Sequence, residues 1–357
     1  LLKRKSGALI LLILFLILGS RGQAAPEELS VSQAVEMALE NNLDLLIARS
    51  ELDNSRIIYQ KNKADIMRTG SRYAELQNDL TLLQAEDRFK QTENQVVRDT
   101  IDRYFRLILG EKEIRSKEET LALEKRRLEE MEQQVATGHR GQLDLMRQQG
   151  IYNRAAFDLE ESRQDLLDDQ EEFQYRLGLG NMPLLDDEAL LQVQIIEVDR
   201  EKFIEEGLAA SIDIQIRDKQ YLLAEMDLKR ALEADTPSLD LQEKENSLEI
   251  AALEIIKAEQ GGRHRLQRTF NNLTRVFNNL ELARESLQET EESHSIILRQ
   301  EEAGLITSRD LLASRINLMD SERSYLAALN TYLLGALDIK EARGHSLKEV
   351  LHEAISD

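Results

Sequence analysis

The chain of 357 residues contains no cysteine, no tryptophan, only three prolines, and aromatic residues at 4%. Without cysteine there is no disulfide, no thiolate metal site, no cysteine nucleophile and no thiol to carry a lipid anchor. Pro26, Pro183 and Pro237 all fall outside the long periodic segments. They read as boundaries and leave the rest free of the strongest helix breaker. Positive charge is also scarce, with 46 Lys and Arg against 67 Asp and Glu, a net charge of −21. That sign excludes nucleic acid as a partner, because phosphate binding needs the opposite one. What is abundant is Leu, Glu, Ala, Gln and Arg, the composition of long helices that meet along narrow seams rather than around a wide core.

Residues 1–24 hold Lys3-Arg4-Lys5, an apolar run of 11 residues from Ala8 to Leu18, and Gly22-Gln23-Ala24. These are the three parts of a secretory signal cleaved before Ala25, and the run is short for a membrane-spanning helix. Removing this segment takes away four positive charges and no negative ones, so the mature charge becomes −25 (42 Lys and Arg against 67 Asp and Glu).

Leu107, Ile114, Leu121, Leu128 and Val135 recur at a seven-residue interval, which makes a narrow apolar stripe on a helix that must meet another helix. Leu145, Tyr152, Leu159, Leu166 and Phe173 keep the same interval, and the turn between the two runs holds Gly138 and Gly141. The pair predicts an antiparallel helical hairpin. A second hairpin is predicted from a helix over about Leu266 to Ala303, a turn at Gly304 to Ser308, and a helix carrying Leu311, Leu318, Tyr325, Tyr332 and Ile339.

The two hairpins are copies of one another. Ala136-Thr137-Gly138 with Asp144-Leu145 downstream, and Ala303-Gly304 with Asp310-Leu311 downstream, lie 166 residues apart (138 to 304, 144 to 310). Tyr104 corresponds to Phe270 and, with a drift of three residues, Leu39 and Asp44 correspond to Leu208 and Asp213. A repeat of this length is a whole structural half. The expected organisation is therefore a signal over 1–24, a first helical repeat over 25–180 and a second over 181–357, the two repeats forming one intertwined domain. Each half opens with a shorter amphipathic helix, from Val31 to about Lys61 and from about Arg200 to Glu233.

Between the short and the long helix of each half the pattern is less helical. Arg72 to Leu82 alternates, with Ala74, Leu76, Leu80 and Leu82 on one side, and Pro237 to Gln242 alternates too. Alternation fits short β-hairpins at one end of the molecule, but helix and loop fit the same residues, and both readings stay open. The fold class is mainly all-α, two repeated long antiparallel hairpins of coiled-coil type.

Chemistry is sparse. His139, His264, His294, His345 and His352 show no metal-ligand spacing, and Gly178-Leu179-Gly180 follows a helix and leads to Pro183, so it ends a helix rather than cradling a phosphate. No nucleophile and base pair is legible, so neither an enzyme nor a cofactor is expected.

The opening Ser32-Gln33-Ala34-Val35 with Ala38-Leu39-Glu40-Asn41-Asn42-Leu43-Asp44-Leu45, the run Ala303-Gly304-Leu305-Ile306-Thr307-Ser308-Arg309-Asp310-Leu311-Leu312, and Pro237-Ser238-Leu239-Asp240-Leu241 after a helix resemble the TolC-like outer-membrane efflux family over nearly all the mature chain. The resemblance implies three chains forming a tapering helical tunnel through the periplasm, with four strands per chain building one shared outer-membrane barrel. It also implies a periplasmic adaptor and an inner-membrane pump as partners. This sequence departs at the barrel, because a spanning strand needs about 9–11 residues and the alternating runs fall well short. The expectation is thus a periplasmic homotrimer with at most peripheral outer-membrane contact; the competing reading is a non-transporting coiled-coil scaffold or tether. Asp144 and Asp310 sit in the first turn of a helix, where a carboxylate is favoured by the dipole alone. The resemblance adds a second reading, a ring of carboxylates at the narrow end of a tunnel that favours cations. Gly138, Gly304, Leu305 and Thr307 are the candidate contacts for a partner at the tips.

Overall fold

The computed structural model describes residues 28–186, 195–234 and 236–348. The secretory segment 1–24 and part of the linker expected after Pro183 lie outside these described residues.

Helix α1 (Val31–Asn41) starts at Ser30, whose hydroxyl accepts from the Gln33 amide while the Gln33 side chain accepts from the Ser30 amide. This reciprocal pair satisfies amides that a helix start otherwise leaves unpaired. Helix α2 (Leu43–Thr69) follows at once, its first turn capped by Asn42. It stops at Gly70, which takes the left-handed φ of 66° that side chains disfavour. Ser71 then caps α3 (Arg72–Ala136), a helix of 65 residues, and α4 (Gln142–Leu177) returns along it.

The second half repeats the order with α5 (Arg200–Ala209), α6 (Ile212–Glu233), α7 (Ser238–Glu302) and α8 (Ser308–Ala342). Helix α7 also has 65 residues, and both its ends lie 166 positions from those of α3 (72 to 238, 136 to 302). The caps of the shorter helices keep the drift of three, Ser30 answering Asp199 and Asn42 answering Ser211 at 169 (30 to 199, 42 to 211).

Three expectations need correction. The one short helix expected at the start of each half is two, broken at Asn42 and at Ala210 and Ser211. The alternating runs at Arg72 to Leu82 and Pro237 to Gln242 do not form β-hairpins: apart from Pro237, which caps α7, they are the first turns of α3 and α7. Accordingly α7 begins at Ser238, not near Leu266, and at a rise of about 1.5 Å per residue each long helix runs about 98 Å. In the first run the helical seam is visible at Asn78. It is buried, its amide donating to the Tyr59 carbonyl at 3.0 Å and its oxygen accepting from Asn62 at 3.0 Å, so a polar residue occupies a position of the helical seam between α2 and α3. The strands among the described residues are β1 (Glu28–Leu29) and β2 (Leu184–Leu185), paired in parallel with Glu28 opposite Leu184.

Helix α3 is the spine, packing against α2 and α6 with one part of its length and against α4 and α8 with the other. Its middle crosses a waist where both halves meet. There Tyr104, Phe105, Phe173 and Phe203 are fully buried, and Phe173 stands edge-on to Tyr104 with ring centroids 6.4 Å apart. The Tyr104 hydroxyl lies 2.7 Å from the Leu29 carbonyl and 2.9 Å from that of Asp186, tying the small sheet to the spine. At the Gly70 end the two halves meet again, where Tyr73 donates to Asp227 at 3.2 Å and the Arg230 guanidinium lies 4.2 Å from the Tyr73 ring centre.

Candidate tunnel mouth at the glycine turns

Opposite the Gly70 end, both hairpins turn on the same backbone device. The α3 helix closes with Gly138 donating to the Val135 carbonyl at 3.0 Å and His139 to the Gln134 carbonyl at 2.8 Å. Helix α7 closes with Gly304 donating to Glu301 at 2.8 Å and Leu305 to Gln300 at 2.9 Å. Each is the two-bond motif that satisfies the last carbonyls of a helix around one left-handed residue, and Gly138 and Gly304 supply it with φ of 78° and 69°.

The next helix starts differently at the two turns. Thr307 caps α8 through its hydroxyl, and Asp310 answers it, accepting from the Thr307 amide at 3.1 Å and hydroxyl at 2.6 Å. Those bonds, the hydroxyl's foremost, hold the Asp310 carboxyl below the usual carboxylate range. At the first turn the equivalent cap is Gly141, which has no side chain to offer, so Asp144 has no capping partner and sits 4.0 Å from Arg147. Both aspartates occupy the third position of their helices, where negative charge is favoured by the dipole. Among the described residues no hydrogen bond or ion pair joins Asp144 to Asp310 within one chain.

Cross-links between the hairpins put both turns at one end. Arg126 donates to the Ser308 hydroxyl at 3.0 Å, and Arg309 pairs with Glu130 at 3.0 Å. Behind them Glu124 is buried on α3, its carboxylate accepting from Arg127 at 2.5 Å and Gln148 at 2.7 Å. Deeper still, Glu113 gathers Lys117 at 2.9 Å and Arg323 at 2.9 Å. Burial works to raise the Glu113 carboxyl, but the bond and charge of Lys117, with the charge of Arg323, outweigh it and hold the group below its ordinary value.

Of the residues singled out in the sequence, Gly138, Gly304, Leu305, Thr307 and Asp310 are exposed at the tips and Asp144 is half-buried. The polar links to α8 from Arg126, Glu130 and Glu113 were not legible, because their partners lie 179 or more positions away and no local pattern announces them. Among the described residues no cluster of His, Asp or Glu is arranged to hold a metal ion, and no helix is long and apolar enough to cross a membrane.

No protein-family model matches the sequence, and no curated protein matches it. Solved structures do. The structure of CusC, described for conformational changes accompanying folding and transmembrane channel formation, superposes with a TM-score of 0.60 at 14% identity, covering 88% of this chain and 91% of that one. The outer membrane protein VceC from Vibrio cholerae gives 0.59 at 12% identity over 88% and 96% of the two chains. The CmeC outer membrane channel of Campylobacter jejuni gives 0.57 at 12% over 91% and 89%. Paired long hairpins, an internal repeat and agreement over most of both chains together give this protein the fold of the TolC-like outer-membrane channels.

Proposed function

We propose that this chain is the periplasmic helical tunnel component of an export system, assembled from three copies, that does not itself cross the outer membrane. The observation that carries the proposal is the Gly70 end. Where the TolC-like resemblance calls for barrel strands of about 9–11 residues, α2 turns into α3 through Gly70 and Ser71, and α7 starts directly after Pro237. On this reading the chain keeps the helical part of the channel fold and has short connections where the membrane part would stand. Export of the chain through a signal over 1–24 accords with this location.

Three copies bring six carboxylates, Asp144 and Asp310 from each, to the mouth at the glycine turns, where they draw cations in and hold anions out. Exposed Leu305 and the glycines beside it form the tip that an adaptor of an inner-membrane pump grips.

The test has three parts. The processed protein should be released from cells without detergent and should migrate identically whether heated or not. Purified, it should have the mass of three chains and an axial channel by electron microscopy. Asp144→Asn with Asp310→Asn should weaken cation binding while helix content stays level. Extraction only by detergent refutes the barrel-less reading; a stable monomer, or unchanged cation binding in the double variant, leaves a non-transporting scaffold as the better account.

A further inference from the structure

We infer that the turn between α2 and α3 seats this protein on a bilayer surface carrying anionic phospholipid. Lys61, Lys63, Arg68 and Arg72 meet headgroup phosphates, and Met67 enters the apolar layer beneath them. The inference rests on the reading of a tunnel without a barrel and names what its Gly70 end meets.

The sequence changes sign at this turn. The chain has a net charge of −21, yet from Lys61 to Glu75 those four cations stand against two acids, Asp65 and Glu75. Charges are felt over about 8 Å at physiological ionic strength, a small part of a helix that runs about 98 Å. The local sign, not the net charge, therefore governs what this end attracts. The companion turn between α6 and α7 differs: Glu233 to Asp240 holds three acids and no cation, although Leu232 and Leu239 are 60% and 77% exposed. The positive contact belongs to the first turn alone.

Local structure holds this turn ready. On its inner face α2 is tied to α3, Tyr59 donating to Asp79 at 3.1 Å, Asn62 to Asn78 at 3.0 Å and Asn78 to the Tyr59 carbonyl at 3.0 Å. With Tyr59 and Asn62 committed to α3, a helix that turns about 100° per residue carries Lys61, Lys63, Met67 and Arg68 on its flanks and outer side. All four are exposed, and Met67, at 78%, is the barest large apolar side chain among the described residues. The Arg68 and Arg72 side chains are 80% and 70% exposed. No ion pair joins Lys61 or Lys63 to an acid among the described residues; the Lys63 ammonium has the Tyr59 ring 5.9 Å away. Arg68 has Asp65 at 3.6 Å and Arg72 has Glu75 at 2.7 Å. Ion pairs this exposed contribute little, so both guanidiniums can exchange a carboxylate for a phosphate. Positive charge alone fits any polyanion, and Met67 separates them. Exposed hydrocarbon gains nothing from dissolved phosphate, whereas at a bilayer a basic patch and an apolar insertion act together where either alone is marginal.

Vesicles of phosphatidylethanolamine, with and without phosphatidylglycerol, probe the processed full chain by flotation. The protein should float with the phosphatidylglycerol vesicles, stay free of the others, and come off in high salt. Each Lys or Arg at an anionic surface adds about fivefold in affinity. Lys61→Gln, Lys63→Gln, Arg68→Gln and Arg72→Gln together should therefore weaken binding about a hundredfold or more. Met67→Ser should weaken it severalfold and Met67→Trp should strengthen it, while Arg140→Gln at the opposite end should change nothing. Because the chain has no native cysteine, an environment-sensitive dye can be placed at Thr69→Cys or at His139→Cys. On vesicles its emission should shift to the blue at the first position and stay unchanged at the second. A three-chain protein with an axial channel that ignores phosphatidylglycerol, or that binds as well without the four cations, overturns the inference and leaves the tunnel reading standing. So does binding that inorganic phosphate displaces and Met67→Ser leaves intact. Extraction from cells only by detergent overturns both.

Discussion

At the waist Tyr104, Phe105, Phe173 and Phe203 are sealed from solvent, whereas at the turns Gly138, Gly304, Leu305 and Thr307 are open to it. The same two repeats build both regions. The waist is where α1, α3, α4, α5, α7 and α8 converge, so side chains there have neighbours on all sides. The glycines of the turns stand in the open: a methyl group added at Gly138 or Gly304 would meet nothing within 4 Å. Stability therefore concentrates at the waist, and the turns hold their shape chiefly by local bonding, through the backbone at both and through the Thr307 and Asp310 side chains at the second. This frees their side chains to differ, as Gly141 and Thr307 do at matching positions.

The sharpest test is to cut into each region. Phe203→Ala at the waist should cost about 3–5 kcal/mol in urea unfolding, while Leu305→Ala at the tip should stay within about 0.5 kcal/mol. Equal costs would end the distinction. Next, Gly138→Ala and Gly304→Ala should each cost about 1–2 kcal/mol from the left-handed backbone alone, and by the same amount, since the two turns share one backbone. Unequal losses would mean that surroundings, not the motif, set the geometry.

Smaller effects separate the two turns from each other. Thr307→Ala should cost about 1 kcal/mol, and Gly141→Ser should gain a few tenths by giving Asp144 a capping partner. The new side chain has room, since a Cβ at Gly141 would lie 3.9 Å from the Asp144 carboxylate. The subtlest expectation concerns acid. The Asp310 carboxyl is held below its ordinary value by its bonds from Thr307. Its stabilisation is complete above the unfolded value of about 3.9 and is lost as pH falls through the lower folded one. Amide exchange at the start of α8 should speed up in that acid window, and Asp310→Asn should remove the dependence.

Much of this was legible. Five apolar residues at strict heptad spacing announce each face of the first hairpin, and the paired glycine turns announce the duplication, because these signals are local and repeated. The first turns of α3 and α7 were ambiguous, because apolar runs as short as these fit a two-residue period as well as a helical one. Helix α7 was placed short because Glu243 to Ser247, polar throughout, read as a turn. The pairing of β1 with β2 has no local signature at all, being two residues on each side joined across 156 positions (28 to 184) and fastened by Tyr104. Asp144 and Asp310 were found as candidates by their repeated spacing; what distinguishes them, a capping box at one and none at the other, depended on reading Gly141 against Thr307.

The equal length of α3 and α7 makes the molecule a gauge. A helix turns about 100° per residue, so deleting one residue from α3 would swing every side chain beyond it off its seam with α4 and α8. Deleting a full heptad would preserve the facing but leave α7, still at 65 residues, a step of about 10 Å out of line. Reach can therefore change only in whole heptads, made together in both repeats and in the helices that return along them. A longer or shorter molecule would need edits at four places at once, in α3, α4, α7 and α8.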